Sequence, residues 1–151
     1  MSGFQRGVRL GVDVGQVRVG VAICDPDGIL ATPLVTLPRD VTTIDGIPTD
    51  ISELARLVAL HETPEVVVGL PVTLSGGNGP AAVSVRAYAD RLAEVIAPVP
   101  VRLVDERMST VVATRRLSER GVRGRRQRAV VDQAAAVEIL QSWLDAQRRR
   151  M

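Results

Sequence analysis

Residues 8–24 read VRLGVDVGQVRVGVAIC, two short apolar runs separated by a turn. The spacing predicts a strand over 8–13, a glycine-containing turn over 15–18 and a second strand over 19–24, paired as a hairpin. Asp13 therefore closes the first strand. An ionised carboxylate inside an apolar strand is costly unless something compensates it. A metal ion would do so; the alternative is a carboxylate that accepts backbone hydrogen bonds from the turn at Gly15. Gly11, Gly15 and Gly20 add room for a backbone or a phosphate to approach closely.

Working outward, 25–28 (DPDG) is a turn and 29–37 a third antiparallel strand, followed by a loop over 38–48. Asp50 with Glu53 reads as a capping box opening a helix, with Ile51, Leu54, Leu57 and Val58 at helical spacing up to His61. The run EVVVGL at 65–70 is continuous and apolar, as in a strand covered by helices on both faces. A helix starts at Pro80, carries Val83, Ala87, Leu92, Val95 and Ile96, and stops before Pro98. A second buried strand follows over 101–106, then a helix capped by Ser109 and ended by Gly121, and a last helix from about 130 to 146. The order is three strands, then α, β, α, β, α, α. Aromatics are only 2% of the chain, so Val, Ala, Leu and Ile must build the core, as in an α/β layer fold. A length of 151 residues suits one domain, 1–151.

Two further carboxylate positions stand at element ends. Glu106 closes VRLVDE beside Asp105, and the pleat sends the two to opposite faces without saying which faces the first strand. Asp132 precedes Gln133, Ala134, Ala135 and Ala136; it reads either as an ordinary N-cap or as an acid carried toward the strand ends by a helix whose small residues let it lie close on the sheet. Gathered together, Asp13, Glu106 and Asp132 would offer the clustered oxygens that hard divalent cations require. Glu138 falls on the opposite helix face. The single cysteine, Cys24, excludes an internal disulfide, and with the single histidine, His61, leaves too few soft ligands for zinc. Cys24 reads as a buried strand residue, His61 as a helix-end residue and Trp143, spaced with Ile139 and Leu140, as core or interface rather than a base-stacking platform.

All nineteen basic residues are arginine, and Arg115, Arg116, Arg120, Arg123, Arg125, Arg126 and Arg128 crowd one stretch. Such a run is either a solvated surface or a phosphate grip, and the density of like charge favours an anionic partner, nucleic acid. Ser75, Gly76, Gly77 and Asn78 form a glycine-rich turn that could present amides to phosphate; without the lysine and hydroxyl of a Walker loop it is no nucleotide P-loop. No run has the length of a signal peptide or a membrane span, so a cytoplasmic protein is expected.

Taken in order, GVDVGQVRVGVA, VVVGLPVTLSGGNG, LVDERMST and VVDQAAAVEIL resemble the successive signatures of the YqgF nuclease family across nearly the whole chain. The resemblance implies an α/β, RNase H-like fold: a five-stranded mixed sheet, its first three strands antiparallel, with helices on both faces. By motif, Asp13, Glu106 and Asp132 match the family's acids, and the match after Gly69, Leu70 and Pro71 is looser. It also implies a phosphodiester hydrolase using one or two magnesium or manganese ions, acting in 5′-end processing of 16S ribosomal RNA precursor or on branched DNA such as Holliday junctions. Trimming RNA needs a monomer, whereas paired nicks need a homodimer. Two other readings compete. One is a noncatalytic RNA-binding, ribosome-assembly module using the arginine surface; the other is an actin-like or sugar-kinase-like ATPase, which shares the Asp13, Gly15, Gly20 loop but needs a second such domain.

Overall fold

The computed structural model describes residues 4–71, 79–105 and 125–149, with side chains of the last segment described from Asp132 onward. Five strands, β1 (Leu10–Val14), β2 (Arg18–Cys24), β3 (Ala31–Pro38), β4 (Val66–Leu70) and β5 (Val101–Asp105), form one sheet in the order β3-β2-β1-β4-β5. β1 pairs antiparallel with β2, and β2 with β3; β4 runs parallel to both β1 and β5. The described helices are α1 (Thr49–Leu60), α2 (Pro80–Ile96) and α3 (Arg125–Arg149).

Alternation along the strands sorts the core into two layers. Leu10, Val12, Val19, Val21, Val66, Val68 and Leu70 pack against α1 and α2. Ala22, Cys24 and Val67 face α3, meeting Ala135, Ala136, Ile139, Leu140 and Leu144. The two faces differ in side-chain size. Bulky Val and Leu hold α1 and α2 off the sheet, whereas glycine and alanine let α3 approach it. At Gly11 an added Cβ would lie 2.6 Å from Leu140 Cβ and 3.0 Å from the Ala136 carbonyl oxygen.

Four sequence expectations need correction. Asp50 is no N-cap: Pro48 precedes the helix with no side-chain cap, and Asp50 lies buried in the first turn, accepting a hydrogen bond of 2.7 Å from the Tyr88 hydroxyl. Glu53 meanwhile pairs with Arg56. On α2 the buried stripe is Ala82, Val85, Tyr88, Ala89, Leu92 and Ile96, with Val83 and Ala87 exposed, because the helix turns its aromatic residue inward to reach Asp50. β5 is an edge strand with Arg102 and Leu103 exposed, where the apolar run suggested a strand covered on both sides. Finally, α3 begins at Arg125, so its first turn is arginine-rich and Asp132 sits within the helix. The helix expected over 109–121 lies outside the described residues.

Candidate active site

Asp13, the fourth residue of β1, is 1% exposed. In the antiparallel register its partner is Gly20 of β2, and directly opposed residues share a face. What occupies that face at Gly20 is the backbone of α3: an added Cβ would stand 2.3 Å from the Asp132 carbonyl oxygen and 2.6 Å from its carbonyl carbon. Glycine is therefore required for contact between helix and sheet at this point. The consequence is that Asp13 and Asp132, distant in sequence, stand on the same face beside one another.

Asp132 is half-buried and receives a hydrogen bond of 2.9 Å on Oδ2 from Arg18 Nε. The next residue, Gln133, donates from Nε2 to Thr36 Oγ1 at 2.9 Å, tying the same turn of α3 to β3. An interior helical position removes the N-cap reading of Asp132, since a capping side chain sits where the helix begins. The turn between β1 and β2 is equally fixed. Gly15 N–H donates to the Arg18 carbonyl at 2.8 Å, and the Gly15 carbonyl accepts from Arg39 at 2.9 Å. That guanidinium in turn lies 5.4 Å from the ring centre of Tyr88 on α2.

Asp105 ends on the other side of the sheet. It pairs with Leu70, which packs against α1 and α2, while its neighbour Val104 packs toward α3. The pleat therefore directs Asp105 away from the face that holds Asp13 and Asp132. Glu106, Arg115, Arg116, Arg120, Arg123 and the turn of Ser75, Gly76, Gly77 and Asn78 lie outside the described residues. Arg125, Arg126 and Arg128 contribute backbone to the start of α3, and their side chains lie outside the description. Among the described residues no cluster of three or more metal-ligating side chains is present; of the three acids singled out from the sequence, Asp13 and Asp132 are the two that are described.

The remaining chemistry-bearing residues are structural. Cys24 is buried, its thiol pKa raised chiefly by burial, and its sulfur accepts the Arg9 N–H at 3.3 Å. His61 caps the end of α1. Trp143 lies half-buried against the α3 layer, 5.4 Å from the Arg9 guanidinium, which also bonds Glu65 at 2.9 Å. The sequence placed Arg18 only in the turn and offered a backbone or a phosphate as what approaches Gly20; it is a backbone, that of α3, and no local signal named this helix.

The family model described as RuvX, Holliday junction resolvase, matches residues 7–146. The chain belongs to the RuvX family. This is the YqgF family that the four motifs resemble. Among its relatives, a Streptomyces avermitilis protein named "Putative pre-16S rRNA nuclease" is 58% identical over 147 residues, covering 97% of this chain and 90% of its own. A Streptomyces coelicolor protein of the same name is 57% identical over 146 residues, covering 96% of this chain and 84% of its own. Among solved structures, Thermus thermophilus RuvC in complex with a Holliday junction substrate aligns with a TM-score of 0.51 at 15% identity, covering 95% of this chain and 96% of that one. At that identity the likeness concerns architecture: the RuvX chain has the RNase H-like fold.

Proposed function

We propose that this RuvX chain is a divalent-cation-dependent nuclease, a hydrolase of phosphodiester bonds, whose acids are Asp13, Glu106 and Asp132. The observation that carries the reading is that Asp13 pairs with Gly20 while Asp132 of α3 lies directly over Gly20 on the same face, in a chain of this family. The donor set fits magnesium or manganese: both residues offer hard carboxylate oxygens, and each is held by a regular element rather than a loop. Asp105 faces away, which leaves Glu106 as the candidate third acid. One or two bound cations would supply charge neutralisation at the phosphate and activation of water for in-line hydrolysis.

The chain's own part is positioning. β1 and α3 bring the two acids to one face at Gly20, and the Gly15 turn fixes the strand end from which Asp13 projects. Arg115, Arg116, Arg123, Arg125, Arg126 and Arg128 grip substrate phosphates beside the acids, adding affinity without base choice. The glycine-rich turn of Ser75, Gly76, Gly77 and Asn78 is a second phosphate contact. The substrate is nucleic acid, either a 16S ribosomal RNA precursor trimmed at its 5′ end or a four-way DNA junction, cut to leave a 5′ phosphate. We place the protein in the cytoplasm, acting as one domain, a monomer on RNA or a homodimer on a junction. No described helix is long and apolar enough to cross a membrane.

The test is cleavage of both labelled substrates, with magnesium or manganese, by the wild type and Asp13→Asn in parallel. Cleavage by the wild type alone, with binding retained in the variant, is expected. Equal cleavage by both proteins would remove Asp13 from the metal site, and metal-independent binding without cleavage would replace the nuclease with a noncatalytic RNA-binding module.

A further inference from the structure

Resting on the metal-site reading above, we propose that Arg18 is the site's built-in counter-ion. Its guanidinium holds the Asp132 carboxylate when no divalent cation is bound, and so lowers the affinity with which a cation binds. Arg18 opens β2, and alternation places it on the face of Gly20 and Ala22, the face of Asp13 and α3. Its Nε donates to Asp132 Oδ2 at 2.9 Å, with the two side chains only 26% and 14% exposed, so solvent screens the pair incompletely.

The backbone of this arginine cannot drift. Its carbonyl accepts the Gly15 N–H at 2.8 Å, its strand partner is Pro38 of β3, and a Cβ at Gly15 would collide with that same carbonyl oxygen. A fixed backbone with a long side chain is a tethered cation. In the metal-free protein it offsets repulsion between two carboxylates on one face. When a divalent cation arrives, it must share Asp132 with this positive charge, and like charges at such range repel. A merely structural clasp between β2 and α3 would behave differently, stabilising the fold without opposing the metal.

Manganese titrated calorimetrically into the metal-free full chain separates these cases. Arg18→Gln should bind manganese about tenfold more tightly than the wild type, equivalent to about 1.4 kcal/mol. Its metal-free melting temperature should fall while its manganese-induced rise exceeds that of the wild type. Arg18→Lys keeps the charge and should retain wild-type affinity, and Arg18→Met gives a second neutral variant should the glutamine protein fold poorly. Adding Asp132→Asn to Arg18→Gln should abolish the gain. Unchanged or weaker manganese binding in the neutral variants, with a binding wild type, overturns the counter-ion and leaves the metal site standing. A wild type that binds no manganese overturns the metal site, and the counter-ion with it.

Discussion

Gly20→Ala adds a single methyl at the point where β2 and α3 touch. Its Cβ would stand 2.3 Å from the Asp132 carbonyl oxygen, 2.6 Å from the carbonyl carbon and 3.2 Å from Asp132 Cβ. Ordinary contact requires about 3.5 Å, so the helix must withdraw by on the order of 1 Å. Two of the three atoms belong to the backbone, and no rotamer change relieves them. Overpacking of this kind costs about 1–3 kcal/mol in stability. A misplacement of 1 Å at a reacting group costs about 100-fold in rate, and here the displaced turn carries Asp132. Urea unfolding and cleavage rate, measured on the same preparation, report the two effects separately. Gly11→Ala serves as the control, since its Cβ would press on α3 at Leu140 and Ala136, further along the helix from Asp132. Both variants should lose stability, and at equal loss the Gly20 variant should lose more activity. A Gly20→Ala protein with the wild-type urea midpoint and wild-type cleavage would refute the packing argument.

Two further expectations follow from other parts of the molecule. The phenol of Tyr88 is pushed well above its ordinary value by burial and then by its hydrogen bond to the Asp50 carboxylate. Above about pH 10 the unfolded chain therefore releases a proton that the folded chain keeps, and stability falls as pH rises through that window. Because Tyr88 is the single tyrosine, phenolate absorbance should stay flat beyond that pH and rise only on unfolding; a smooth titration of the folded protein near pH 10 would contradict it. Tyr88→Phe should remove this alkaline slope and cost about 1–3 kcal/mol at neutral pH, since buried Asp50 loses the hydroxyl donor to its Oδ2. Replacing Arg123, Arg125, Arg126 and Arg128 by alanine should weaken substrate binding and flatten its salt dependence, by about 0.9 in slope for each duplex phosphate no longer neutralised, while leaving urea stability little changed. A salt slope equal to that of the wild type would take those arginines out of the interface.

The hairpin and the later strands were legible because their apolar runs are short and their turns carry glycine, and the family resemblance implied a five-stranded mixed sheet with its first three strands antiparallel; the order β3-β2-β1-β4-β5 comes from the structure. Side-chain direction was harder. Asp105 and Glu106 are indistinguishable in sequence, and only the pairing of Asp105 with Leu70 fixes its face. Asp132 looked like a helix start because the preceding arginines read as a loop, yet α3 begins earlier. Asp50 looked like a cap because its sequence spacing to Glu53 is right, while tertiary packing against Tyr88 draws it inside. Arg18 and Gly20 acquire their meaning only from a helix more than a hundred residues away, a contact invisible to local pattern.

Asp13 and Asp132, on the proposed reading, serve one cation. Anomalous diffraction from crystals grown with manganese tests it without reference to substrate or activity. A manganese peak within about 2–2.6 Å of carboxylate oxygens from both residues is expected. A peak on only one of them, or bound manganese elsewhere with this face empty, would contradict it.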